Sequence, residues 1–220
     1  WMGFIWRYFG STSEITLSFG KPMDVLGNFV NENGASFDRF GHEISISDYF
    51  ISDGKITEDR QREEQYTQIL ADKIVERYHV ENIVLSSHLI AFAVFKLLEK
   101  SKPDLDLYGL LRLPPDDFVF PKKAVERVVE QMQQQLLQWE NQAQIKISDA
   151  IRLPASELLT DGIKNLGIMH TEKPLVFNKE GDIVSNDFKV LFYYHNRMDN
   201  YGLEKSVKWK DESMEILKTD

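Results

Sequence analysis

The sequence predicts a mainly helical α+β protein with one β-hairpin in its C-terminal part. Apolar residues recur at helical spacing through most of residues 57–139. Two β-forming runs then flank Asn178-Lys179-Glu180-Gly181, so residues 174–184 are predicted to form a strand, a turn and a strand. Cysteine is absent, and 42% hydrophobic with 28% charged residues is typical of a globular protein. This composition excludes a disulfide scaffold and a thiolate metal site.

The N-terminal part is predicted to contain one strand followed by loops. Residues 14–19 alternate polar and apolar side chains, and Pro22 ends the strand because proline cannot continue a ladder. Glycine-rich turns follow, with a small hairpin over residues 37–44. No internal repeat is predicted in the chain.

Helices are predicted for most of the remainder, with Thr57 and Asn186 as N-caps of the first and last. The run Ile83–Leu98 is apolar nearly all round, which indicates a buried helix. It is too short and too polar for a membrane span, which needs about 20 apolar residues. The helix from Pro121 has an apolar stripe, and its other side is predicted to be solvated: Gln131, Gln133, Gln134, Gln135 and Gln138. Several helices, a hairpin and a closing helix form a winged-helix-like order.

The charge of the chain argues against nucleic-acid binding. The 26 basic and 35 acidic residues give a net charge of −9, whereas phosphate neutralisation supplies most of the affinity for nucleic acid. On the helix from Pro121, Lys122, Lys123 and Arg127 stand only at the start, and the hairpin turn is neutral to acidic. A protein-interaction role therefore fits a winged-helix-like domain better than DNA reading does.

Catalytic patterns are missing from the sequence. No phosphate loop or nucleophile elbow occurs, and His42-Glu43 begins a zinc-protease pattern that Ile46 breaks. The five histidines are far apart in sequence, so each is predicted to be an ordinary surface or core side chain: His42, His79, His88, His170 and His195. Lys21 follows a predicted strand end and Gly20, where it could contact a phosphate; a simple turn lysine is the alternative.

The first nine residues are rich in aromatic side chains. Trp1, Phe4, Trp6 and Phe9 are candidates for membrane contact, since amphipathic rings settle at a bilayer interface. Packing into a core is the alternative. Because the chain starts with Trp1 and not with Met, we expect it to be a fragment of a longer protein.

Two segments resemble parts of the phospholipid/glycerol acyltransferase superfamily. The sequence Ile-Thr-Leu-Ser-Phe-Gly-Lys-Pro at 15–22 resembles the strand and "FG-[KE]-P" segment that closes the acyltransferase domain. The helix at 188–197 resembles the downstream "L-x-x-Y-Y-R-N" helix of bacterial glycerol-3-phosphate acyltransferases. The apolar helix 83–98 occupies the place of a similar helix between them. His195-Asn196-Arg197 departs from the family pattern, which tends to have Arg-Asn there.

The resemblance implies a domain organisation and an activity. Residues 1–55 would be the C-terminal end of an α/β acyltransferase domain, and residues 56–220 a helical winged-helix-like domain. The parent protein would move a fatty acyl group from acyl-CoA or acyl carrier protein, as co-substrate and without another cofactor, to glycerol 3-phosphate or a related glycerophosphate. It would act in phospholipid synthesis as a peripheral protein on the cytoplasmic face of the inner membrane.

The family's catalytic block is absent from these residues. The family uses a His-x4-Asp pair, in which the histidine takes the proton of the glycerol hydroxyl and the aspartate orients the histidine. His195 and Asp199 are separated by three residues, so no catalytic residue is assigned and the segment is predicted to be inactive alone. The alternative is a non-catalytic winged-helix-like protein-interaction module.

Overall fold

The computed structural model describes residues 16–209 and has the predicted α+β composition. About 51% of it is helical and about 12% is strand. The α-helices are α1 (Arg60–Glu81), α2 (Ser86–Ser101), α3 (Leu107–Leu110), α4 (Lys122–Asn141), α5 (Ala155–Asn165) and α6 (Phe188–His195). The strands are β1 (Phe29–Val30), β2 (Ser36–Phe37), β3 (Glu43–Ile44), β4 (Ile51–Ser52), β5 (Lys55–Ile56), β6 (Ile83–Val84), β7 (Val119–Phe120), β8 (Lys146–Ile147), β9 (Leu175–Phe177) and β10 (Ile183–Ser185).

The described residues fall into two compact units. One unit spans Leu17–Asn82, and the other includes residues 83–209. The domain boundary predicted after residue 55 places α1 with the later helices. The contacts of α1 instead group this helix with the strands that precede it. At Gly27 the first turn lies so close to α1 that an added Cβ would come within 2.9 Å of Lys73 Cγ.

The N-terminal unit contains a three-stranded antiparallel meander, β1-β2-β3, that Met23 extends by a bridge to Phe29. It includes the predicted hairpin, since Phe37 pairs with Glu43. The predicted strand at 14–19 is wrong for its described part, because residues 16–19 have no regular structure and Phe19 is 89% exposed. Glu14 and Ile15 lie outside the described residues.

The turns of this meander repeat every seven residues. Each starts with an Asp or Asn whose side-chain oxygen accepts the backbone N–H groups two and four residues later, at 2.8–3.0 Å. Each has a glycine three residues after it with φ between 79° and 84°, a region that disfavours other residues. The acceptors are Asp24, Asn31 and Asp38, and the glycines are Gly27, Gly34 and Gly41. The prediction of no internal repeat was therefore wrong.

We expect Asp24→Ala to loosen the first of these turns. Burial by itself would raise the pKa of Asp24, but hydrogen bonds from Asn28, Leu26 and Ser36 outweigh it and lower the pKa. Alanine would leave those donors without their acceptor, at a cost of about 1–3 kcal/mol for a buried group. Hydrogen exchange followed by NMR should show faster exchange of the Leu26 and Asn28 amides.

Asp38→Ala is the matched control, because it removes the same acceptor from a solvent-exposed turn, where water replaces the lost bonds. Its effect on the Phe40 and His42 amides should be the smaller one. Equal effects at the two turns would contradict the assigned role of burial.

The C-terminal unit is built around α2. Twelve of its residues are buried, from Ser86 to Leu98, and α2 contacts α4, α5 and α6. The predicted buried helix is therefore confirmed, although it begins at Ser86 because Ile83–Val84 forms strand β6, parallel to β8. A three-stranded antiparallel sheet in the order β7-β10-β9 lies in the same unit. It joins the predicted hairpin to the strand before α4.

Three local predictions about polar side chains need correction. Asp59, not Thr57, caps α1, with its side chain accepting from Arg62 N. Asp187, not Asn186, caps α6 by accepting from Lys189 N and Val190 N. Gln133 is 8% exposed, not solvated. Its amide donates to the backbone oxygens of Ile151 and Leu153, in and just after the short 3-10 helix Asp149–Arg152.

Candidate functional site

A charged group lies within the packed contact between α2 and the segment that follows α6. The side chain of Lys96 is 11% exposed, and its Nζ lies 3.0 Å from Glu99 Oε2 and 3.8 Å from Asp199 Oδ1. It also stands 5.5 Å above the ring of Phe92. A buried ammonium needs such partners, because its transfer out of water is costly. We call Lys96, Glu99, His195 and Asp199 the core charge cluster.

His195 is the most buried member of the core charge cluster. Its ring stacks on Phe92 with a centroid distance of 5.1 Å and an angle of 7°, and it contacts Phe95 at 4.2 Å. Burial lowers the pKa of His195, and the positive charge of Lys96 lowers it further. The neutral imidazole is therefore the favoured form at pH 7.

The two ring nitrogens of His195 differ in their hydrogen bonding. Nδ1 lies 3.2 Å from Asn196 Oδ1, which only accepts, so Nδ1 carries the proton and Nε2 a lone pair. Nε2 has no hydrogen-bond partner and lies 3.9 Å from Asp199 Oδ1. At 3.9 Å the two groups are beyond hydrogen-bond distance, and Nε2 exposes less than 1 Å² of surface, so it is closed to a substrate. The core charge cluster therefore links α2 to the segment that ends and follows α6.

A second group lies at the start of α2 and at the end of α6. Burial and the positive charge of Arg197 lower the pKa of His88 to about 4. The Leu85 N–H lies 3.4 Å from His88 Nδ1, so the proton of the neutral ring sits on Nε2, which is a donor. Arg197 is exposed and forms no ion pair with any residue between 16 and 209.

Tyr194 lies on α6, three residues before Arg197, and its ring meets that of His170. The rings of His170 and Tyr194 are 5.8 Å apart and meet edge to face. Burial raises the pKa of Tyr194, and the neighbouring Tyr193 raises it further, while Arg197 opposes the shift. Its hydroxyl therefore stays protonated and can donate.

The first turn of α2 is also tied to α5. Ser86 Oγ donates to Asp161 Oδ2 at 2.6 Å, and Asn165 Nδ2 donates to Asp161 Oδ1 at 3.0 Å. Both oxygens of this carboxylate are therefore engaged within the protein. The contact holds α5 against the helix that carries His88.

The residues that the sequence singled out lie elsewhere or outside the description. Lys21 is exposed, in a segment without regular structure in the N-terminal unit. The aromatic candidates for membrane contact lie outside the described residues: Trp1, Phe4, Trp6 and Phe9. Between residues 16 and 209, no three His, Cys, Asp or Glu side chains come together as a metal site. In that same range, no helix combines the length and the apolar character needed to cross a bilayer.

Sequence reasoning missed the core charge cluster and the burial of His88. It treated His88 and His195 as isolated, since the nearest histidine in sequence is nine residues from one and 25 from the other. A usable signal was Lys96, a lone charge inside the apolar run of α2, which requires a partner in the core. A second signal was the spacing of His195 and Asp199, which puts them on one side of a helical turn.

Comparison of the chain with known proteins found no relative. Neither the protein-family models, nor the curated proteins, nor the solved structures include a match to the chain. Its function must be argued from its own residues.

Proposed function

We propose that this chain is the C-terminal part of a glycerol-3-phosphate O-acyltransferase. The parent enzyme would transfer a fatty acyl group from acyl-CoA or acyl carrier protein to glycerol 3-phosphate in phospholipid synthesis. The proposal rests on a contact made by α6, the helix that resembles the downstream motif of the family. This helix packs on the buried helix α2, which lies between the two motif-like segments in sequence. Phe95 of α2 contacts both Phe188 and Phe192 of α6, each with ring centroids 5.3 Å apart.

In this proposal the C-terminal unit is a winged-helix-like domain without catalytic residues. The order α2, β7, α4, α5, β9, β10 and the placement of β10 between β7 and β9 support that architecture. His195 and Asp199 do not replace the His-x4-Asp pair, because Nε2 is buried in the core charge cluster. Trp1, Phe4, Trp6 and Phe9 would contribute to peripheral binding at the cytoplasmic face of the inner membrane, and Lys21 to phosphate contact.

A winged-helix-like protein-interaction module is the second candidate. One observation favours it: the C-terminal unit has its own core around α2, which a separate module would require. The acyltransferase proposal adds a parent enzyme to the same architecture, so activity separates the two.

Acyl transfer by the complete reading frame that encodes these residues tests the proposal. Labelled glycerol 3-phosphate is supplied with acyl-CoA or with acyl carrier protein carrying a fatty acyl group, and labelled lysophosphatidic acid is measured. We expect product with the complete frame and none with residues 1–220 alone, where no exposed histidine is oriented by a carboxylate in the family's spacing.

The proposal fails if the complete frame yields no acylated product with either donor. Product from residues 1–220 alone would contradict the non-catalytic assignment. A complete frame carrying Lys164→Ala is the control, since Lys164 is exposed on α5 and lies outside the core charge cluster, and it should keep its activity.

A further inference from the structure

We propose that one edge of the N-terminal meander binds an extended peptide with basic side chains, which adds a strand to β3. The edge is formed by β3 and by the start of the 3-10 helix Ile46–Phe50 that follows it. This binding role goes beyond acyl transfer and holds for either candidate function, because the residues that carry it belong to the N-terminal unit. We call Glu43, Ile44, Ser45, Asp48 and Tyr49 the acidic edge.

The backbone of β3 turns hydrogen-bonding groups away from the sheet. Glu43 pairs with Phe37 of β2, and the neighbouring pair of the ladder is joined by a hydrogen bond of 2.9 Å from Asp38 N to His42 O. Hydrogen-bonded and non-hydrogen-bonded pairs alternate along an antiparallel ladder, so the N–H and C=O of Glu43 point away from β2. Ser45 continues the extended backbone, with φ −95° and ψ 122°, and its N–H points the same way.

These outward groups have no strand to pair with. Within residues 16–209, the sheet has the order β1-β2-β3, so β3 is an outer strand with β2 as its one neighbour. The C=O of Ser45 accepts from Asp48 N at 3.1 Å, which leaves the N–H and C=O of Glu43 and the N–H of Ser45 for a ligand. An added strand satisfies such groups, and main-chain hydrogen bonds supply the affinity in this mode of peptide recognition.

A groove beside β3 offers room for the side chains of the added strand. Its volume is about 340 Å³, and the residues of the acidic edge line it. The side chain of Tyr49 is 38% exposed, and its ring is held edge to face by Tyr66 of α1, with centroids 6.2 Å apart. The groove therefore has a positioned aromatic ring, a type of side chain that contributes much of the affinity at interfaces.

The charges of the groove select a basic partner. Glu43 and Asp48 both line it, and neither forms an ion pair with any residue between 16 and 209. The nearby His42 is already paired with Asp38, at 3.4 Å. A second copy of β3 would bring like charges opposite each other, which is unfavourable in a sheet, whereas lysine and arginine side chains complement the two carboxylates.

An NMR titration of residues 1–220 with a synthetic peptide of alternating lysine and valine tests the proposal. We expect saturable shifts of the Glu43 and Ser45 amides, and slower hydrogen exchange of both amides once the added strand covers them. The same peptide with glutamate in place of lysine should not bind. Binding of both peptides alike would contradict the selection by charge.

Two isosteric variants locate the site. Glu43→Gln should weaken binding of the lysine peptide by about two- to fivefold, as expected for an exposed ion pair. Glu32→Gln is the matched control, because it removes the same charge from an exposed position outside the groove, and its affinity should stay unchanged.

Three results would overturn the proposal. They are the absence of saturable shifts, equal affinities of the Glu43→Gln and Glu32→Gln variants, and binding that leaves the exchange of the Glu43 amide unchanged. Protection of that amide in the protein alone, increasing with its concentration, would instead identify a second copy as the occupant and would also contradict a basic peptide partner.

Discussion

Replacing Gly162 with alanine is expected to destabilise the C-terminal unit by about 1–3 kcal/mol. A Cβ at this position would collide with the side chain of Ile90 and lie 2.9 Å from the backbone oxygen of Ser86. Both neighbours belong to α2, the most buried helix of the unit. Overpacking a dense core forces backbone shifts and costs about this much, whereas alanine gains at most about 1 kcal/mol over glycine in helix propensity. The steric effect therefore exceeds the propensity gain.

Lys164→Ala is the control, since Lys164 is exposed on the same helix, α5. Its effect on stability should stay within about 0.5 kcal/mol, as for most surface substitutions. Chemical denaturation of the two variants and the unmodified chain gives both values. A Gly162→Ala protein as stable as the unmodified chain would show that α2 and α5 do not approach as closely as described.

The helical part of the fold could be predicted because its signals are local. The apolar run that forms α2, the stripe of α4 and the turn between β9 and β10 are all visible as spacing within a few residues. Pro121 predicts the start of α4 and indeed stands as its N-cap. Errors of one or two residues arose at Thr57 and Asn186, because each lies near an aspartate that caps the helix instead.

The other features of the fold depend on tertiary contacts, which the spacing of residues along the chain does not reveal. Leu17 and Phe19 suggested a strand, but a strand needs a partner, and residues 16–19 have none in the sheets described. Gln133 looked like its glutamine neighbours, yet it is the one that meets the backbone of Ile151 and Leu153. The seven-residue spacing of Gly27, Gly34 and Gly41 was visible in the sequence and should have indicated the repeated turns of the meander.

The candidate site illustrates the same limit. His88 of α2 and Arg197, just after α6, are more than a hundred residues apart in sequence, and the packing of α2 against α6 brings the charge of Arg197 near enough to lower the pKa of His88. At Arg197 the segment 188–197 departs from the family motif that it resembles, so the resemblance assigned this residue no role, and its neighbours depend on tertiary structure. The burial of His88 and His195 also follows from this contact, and it makes the stability of the unit depend on pH.

The free energy of unfolding of residues 83–209 is expected to fall as the pH drops from about 6.5 to about 4. In the folded protein the pKa of His88 is lowered from 6.5 to about 4, first by burial and then by Arg197. In the unfolded chain the ring takes up its proton near 6.5, so between these values the unfolded state binds more protons and is favoured. The contribution of neutral His88 is therefore complete above pH 6.5, and it is lost as the pH falls toward 4.

His88 determines both the expected size of this loss of stability and the variant that serves as its control. A shift of one pKa unit corresponds to about 1.4 kcal/mol, so His88 contributes at most about 3 kcal/mol. His88→Gln keeps an acceptor for the Leu85 N–H, as glutamine does at this position of many helices, but it does not titrate. The variant should lose less stability between pH 6.5 and pH 4, and its remaining loss includes that of His195, whose lowered pKa acts in the same direction. Parallel stability curves for the two proteins, measured by urea denaturation across this range, would show that His88 is protonated equally in both states and is not held neutral by its surroundings.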